Sequence, residues 1–190
     1  MGVSVIAFVA LAGLVAMTRL AELVLSRQHE KELARRGVEK RNDPNYRWMV
    51  MLHAGVLAAA PAEVIVLRRP FLPPLAAVAG TVFVLATALR WWTIRTLGLH
   101  WNVQVMASAP LGVVTSGPFR WVRHPNYAGV FLELTALPLI HTAWITALAA
   151  TAGNAWVLTN RLRLEEPALE ADPSYRRIMA GKPRFVPKLF

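Results

Sequence analysis

Residues 2–25 read GVSVIAFVALAGLVAMTRLAELVL, an apolar run broken by charge only at Arg19 and Glu22. The hydrocarbon core of a bilayer takes about 20 helical residues to cross, so this run predicts a spanning helix. Its start lacks the basic residues that open a signal peptide, and it is read as a retained span. Arg19 and Glu22 lie three residues apart on one helical face near the inner end, which predicts an ion pair between them.

Four more apolar runs follow, at residues 48–67, 71–92, 127–140 and 143–160. The second carries His53, expected as a hydrogen-bonded core histidine, and Glu63, expected to reach the interface or pair with Arg68. Arg68-Arg69-Pro70 and Pro73-Pro74 make a tight turn into the third run, so these two spans should be antiparallel neighbours. Between the first two runs, residues 26–47 alternate basic and acidic side chains; they predict a surface helix, then a loop broken by Gly37 and Asn42-Asp43-Pro44-Asn45. Arg90, Trp91, Trp92 and Arg95 form an interfacial belt. Residues 97–116 are too interrupted by Gly and Pro to span and should lie at the inner surface. The tail from Arg161 predicts a helix leaving the membrane, with Pro167, Pro173, Pro183 and Pro187 breaking any long continuation.

The chain is therefore expected to be one all-α domain over residues 1–190, a polytopic transmembrane bundle of about five spanning helices. A hydrophobic content of 55% in 190 residues excludes an ordinary soluble domain. The net charge of +10 does not indicate nucleic acid, because the basic residues sit between apolar runs and not in one tract; their partner is the lipid surface. The absence of Cys excludes disulfides and thiolate ligands, and no other spacing suggests a metal site. Eighteen Lys and Arg fall in residues 26–47, 90–123 and 161–190, against Arg68 and Arg69 on the other side. By the positive-inside rule the N-terminus is outside and the C-terminus cytosolic.

Residues 117–129, GPFRWVRHPNYAG, crowd Arg120, Arg123, His124, Asn126 and Tyr127 between apolar runs. Pro125 biases His124 towards an extended backbone and suits a first helical position, so the stretch reads as a loop entering a helix whose free amides favour an anion. In residues 161–169, RLRLEEPAL, Arg161 and Glu165 are four apart and share a helical face; on spacing alone they are a surface ion pair. Glu133, in the fourth apolar run, is a buried carboxylate with either a functional or a structural pairing role.

Arg123-His124-Pro125-Asn126-Tyr127-Ala128-Gly129 resembles the Arg-His-Pro-x-Tyr-x-Gly signature of the isoprenylcysteine carboxyl methyltransferase family, integral membrane enzymes that use S-adenosylmethionine. Arg161, Glu165 and Glu166 resemble its second motif in register, and the likeness covers residues 104–169, the catalytic region. It implies a cytosolic cofactor pocket formed by Gln104, Leu111, Gly112, Val113, Val114, Phe119, His124, Pro125, Asn126, Tyr127 and Glu165, with Phe119 standing where Tyr is common. It implies that Arg161 holds the acceptor. His124 or Glu133 would serve as base if the acceptor is a hydroxyl, whereas a carboxylate acceptor needs none. The implied acceptor is lipid-like, either a prenylcysteine carboxylate or an alkylpyrone or alkylresorcinol hydroxyl. The second follows from likeness to a bacterial branch of the family and would place the protein in a bacterial cytoplasmic membrane. The competing readings are an NADPH-dependent sterol-type reductase and a non-enzymatic membrane scaffold.

Overall fold

The computed structural model describes residues 2–38, 40–106 and 112–187. Among them are six α-helices and no strand: α1 (Val3–Arg35), α2 (Tyr46–Val66), α3 (Pro73–Leu97), α4 (Pro125–Leu139), α5 (Trp144–Glu170) and α6 (Pro173–Met179). Three of them, α1, α2 and α3, are long and apolar enough to cross a membrane. Their large outward residues, such as Leu14, Met17, Val78 and Leu85, are apolar and exposed, as lipid contact requires.

The helix ends follow local chemistry. α1 stops where Gly37 takes φ 76°, with Val38 N–H donating to the Leu33 carbonyl and Gly37 N–H to the Ala34 carbonyl. This is a glycine C-cap of the Schellman type, completed by the packing of Val38 on Leu33. Pro73 and Pro125 open α3 and α4 from positions where the missing N–H costs nothing. α6 starts on Asp172, whose carboxylate accepts from the Ser174 and Tyr175 amides.

The start of α5 is capped from another helix. Glu63 of α2 accepts from the Ile145 and Thr146 amides at 3.2 and 2.8 Å and from the Thr146 hydroxyl at 2.8 Å. Its cationic partner is Arg69, at 2.8 Å, in place of the expected Arg68. Arg68 sits at φ 49° just past the end of α2, so the chain reverses there and the next side chain turns back onto the helix.

Two further expectations change. The polar stretch after residue 25 is no separate surface helix: α1 runs unbroken for 33 residues, because nothing in it breaks the helix before Gly37. Pro167 does not end α5, which continues to Glu170. α1, α2 and α4 meet in a core of Phe8, Val15, Ala60, Val64 and Leu137. At the polar end, Phe119 packs with Tyr175 and Met179 of α6, tying the tail to the loop before α4.

Candidate functional site

The loop at residues 117–124 lies tight against α3. Gly117 has φ 54°, and a Cβ there would come within 2.5 Å of the Thr96 hydroxyl, so only glycine fits. The loop ends in His124, which precedes α4 without a side-chain cap for the helix. Its Nε2 donates to Glu166 of α5 at 3.2 Å, and its ring stacks on Tyr127 with centroids 5.5 Å apart.

Tyr127 stands between the two charged residues of the second motif. Its hydroxyl donates to Glu165 and accepts from Arg161 Nε at 2.7 Å. The expected Arg161–Glu165 pair is consequently loose, at 3.9 Å. The rest of the buried Arg161 guanidinium is braced by the Val103 carbonyl at 2.6 Å, Asp43 at 3.4 Å and Met49 Sδ at 3.3 Å. Val103 is fixed in turn by α1: its amide donates to Ser26 Oγ at 3.0 Å, and Asn102 bonds the same serine. The unbroken length of α1 thus places the carbonyl that holds Arg161.

Glu166 is a second node. Besides His124 it receives Arg184 at 2.5 Å and Arg123 at 3.4 Å. The backbone of the tail pairs with the loop here, Arg123 N–H to the Pro183 carbonyl at 2.9 Å and His124 N–H to the Arg184 carbonyl at 2.8 Å. Burial alone would raise the Glu166 carboxyl, but Arg184, Arg123 and His124 together hold it below the usual range. Burial outweighs the pull of Glu165 and Glu166 and pushes His124 below its ordinary value, so the ring is neutral at pH 7. With Nε2 donating to a carboxylate, Nδ1 carries the lone pair.

These groups line a cavity of about 1010 Å³. One end is polar, walled by Gln104, Arg123, His124, Asn126, Tyr127, Arg161, Glu165 and Tyr175. The other lies among the helices, walled mostly by apolar residues such as Leu20 and Leu23 of α1, Ala54 and Leu57 of α2, Val130 of α4 and Leu158 of α5, with Arg19 and Glu22 of α1 and Arg90 of α3 also reaching the wall. Of the residues singled out from sequence, Gln104, Gly112, Val113, Val114, Phe119, His124, Pro125, Asn126, Tyr127, Arg161 and Glu165 all line it, while Leu111 lies outside the described residues.

Glu133 is not brought to this wall. Its oxygens accept from Thr87 at 2.6 Å, Arg19 at 2.6 Å and Arg90 at 3.0 Å, and Arg90 also pairs with Glu22 at 2.9 Å. The expected Arg19–Glu22 pair is present at 2.8 Å as one edge of this buried, charge-balanced quartet. Sequence reading missed Asp43 and the partners of Glu166. Asp43 gave no signal beyond a loop break, since its role depends on where α2 delivers the loop; Glu166 was visible only as the second acid of its motif.

Comparison with known proteins gives a consistent picture. The pattern of the isoprenylcysteine carboxyl methyltransferase (ICMT) family matches residues 78–171. An uncharacterized Bacillus subtilis protein, YpbQ, is 28% identical over 162 residues, 84% of this chain and 95% of that one. An uncharacterized protein of Haemophilus influenzae is 27% identical over 152 residues, 80% of this chain and 88% of its own. Among solved structures, the eukaryotic intramembrane Ras methyltransferase ICMT superposes with a TM-score of 0.52 at 23% identity, over 73% of this chain. The chain spans about half of that protein, 52% of its length; the likeness is one of fold.

Proposed function

We propose, from the premise that this chain belongs with the ICMT-like membrane methyltransferases, that it is an S-adenosylmethionine-dependent O-methyltransferase acting on a lipid-like acceptor. The observation that carries the reading is a cavity that runs from a polar end at the signature loop to a mostly apolar stretch between helices. Such a space suits a polar donor and an amphipathic acceptor meeting inside the protein. In this reading α4 and α5 are the fourth and fifth crossings, and the polar end faces the cytosol.

The residues present fit the cofactor. Asn126 Oδ1 is buried, lies at the cavity wall and has no hydrogen-bond partner among the described residues, so it offers an acceptor for an amino group. Glu165 presents a carboxylate on the wall of the same cavity, suited to an ammonium or ribose hydroxyls. Phe119, Val113 and Val114 supply apolar contact for the base. The bound cofactor supplies an electrophilic methyl group. Transfer needs no protein nucleophile, so the protein's part is to hold donor and acceptor in line, an effect that reaches about 7–11 kcal/mol. Arg161, immobilised by Tyr127, Asp43 and Val103, is placed to hold the acceptor's oxygen. Glu133, with its oxygens committed to two arginines and a threonine, serves structure.

Calorimetric titration of the purified protein with S-adenosylhomocysteine and with NADPH tests the reading. Binding of the first alone is expected. Binding of NADPH alone would point to a reductase, and binding of neither to a scaffold.

A further inference from the structure

We infer that His53 is the general base for an acceptor that presents an acidic hydroxyl, enolic or phenolic, in the apolar half of the cavity. The inference rests on the methyltransferase reading and narrows its substrate class. His53 belongs to α2 and lines the cavity. Its Nδ1 is 2.8 Å from the Met49 carbonyl. A carbonyl oxygen only accepts, so Nδ1 carries the hydrogen and Nε2 of the neutral ring holds a bare lone pair, with no hydrogen-bond partner for it among the described residues.

The ring is thus more than a satisfied core histidine: its donor is satisfied and its basic nitrogen is left over. Met49 also touches Arg161 through its sulfur at 3.3 Å. His53 follows it by one turn on the same face of α2, about 6 Å further along the axis at 1.5 Å per residue. It therefore lines the same cavity as the arginine proposed to hold the acceptor's oxygen, about one turn deeper among the helices. The charged groups that act on the ring are Arg19 of α1, Glu133 of α4 and Arg161 of α5, the first two sharing a small pocket with it.

The other candidate bases are less well placed. Glu133 is consumed by Arg19, Arg90 and Thr87 and does not reach the large cavity. His124 is tied through Nε2 to Glu166 and stacked on Tyr127. In the step, the acceptor oxygen forms its bond to the methyl carbon as that carbon's bond to sulfur breaks, the bonding pair staying on sulfur. The hydroxyl proton passes to His53 Nε2 and leaves to solvent with the product. A carboxylate acceptor is already ionised and would have no use for this nitrogen, so a bare base here favours the hydroxyl class.

The test uses the full-length protein in lipid nanodiscs. With ¹⁵N-histidine labelling and no cofactor, the His53 nitrogen signal, assigned by its loss in His53→Gln, should shift on adding an alkylresorcinol and stay put with the corresponding methyl ether. In turnover, His53→Gln should keep S-adenosylhomocysteine affinity within about twofold and lose about 100-fold or more in rate. Its rate should climb with pH through the acceptor's own ionisation, where the wild type reaches a plateau. Near-normal turnover in the variant, an unmoved nitrogen signal, or methylation of a farnesylcysteine carboxylate but of no hydroxyl acceptor would each overturn the role of His53 while leaving the methyltransferase reading intact. Failure of the wild type to bind S-adenosylhomocysteine would overturn both.

Discussion

Tyr127 changes what the charges around it mean. Spacing pairs Arg161 directly with Glu165, yet the phenol stands between them, and Arg161 also donates to Asp43 and Val103. The two side chains should therefore behave differently on removal. Arg161→Ala leaves Asp43, whose side chain is 1% exposed, as an uncompensated buried charge. The expected cost is about 3–5 kcal/mol, far above the 0–1 kcal/mol of a surface pair. Adding Asp43→Asn to Arg161→Ala should restore part of that stability, a coupling readable in denaturation curves. Glu165→Ala should instead lower S-adenosylhomocysteine affinity with modest loss of stability. Equal, small effects from both variants would return Arg161 and Glu165 to a surface ion pair. The motif residues were legible through their likeness to the two motifs of the family, since spacing alone gave no more than a surface ion pair. Asp43 was not, because an aspartate in a polar loop carries no mark of the buried arginine it will meet.

Elements meet here through close approach and buried charge. α3 and α4 come so near that a Cβ on Gly129 would fall 2.5 Å from Arg90 Cγ and 3.2 Å from the Ala86 carbonyl. Neither atom is the free end of a side chain. Arg90 is also tied to Glu22 and Glu133, so it cannot yield without disturbing the quartet. Gly129→Ala should therefore destabilise the protein by about 1–3 kcal/mol, the usual range for overpacking, as a lowered melting temperature in detergent. An unchanged melting temperature would mean that the helices separate freely. The helices α1 to α5 were readable from run length, and three of them are long and apolar enough to cross a membrane. Their ends were not, because continuation depends on breakers and caps: α1 passes through a charged stretch that contains none, and α5 tolerates Pro167. Glu63 shows the same limit, since the amides it caps lie on a helix more than eighty residues away.

At the scale of the whole molecule, the bundle holds a large cavity that is polar at the signature loop and mostly apolar among α1, α2, α4 and α5. The tail is pinned to the loop at the polar end, with Pro183 and Arg184 pairing to the loop backbone and Lys182 donating to the Phe119 carbonyl at 2.6 Å. If donor and acceptor meet in this space, the alkyl chain of the acceptor is buried as the reaction proceeds. Each CH₂ should then contribute ~0.8 kcal/mol, about fourfold in kcat/KM, until the apolar half is filled. The decisive measurement is transfer of a labelled methyl group from S-adenosylmethionine to a series of alkylresorcinols and prenylcysteines of increasing chain length, with the protein in proteoliposomes. The account predicts label in the lipid extract and a kcat/KM that climbs with chain length and then levels off. Label that never reaches an amphipathic acceptor, or a rate indifferent to chain length, would contradict it.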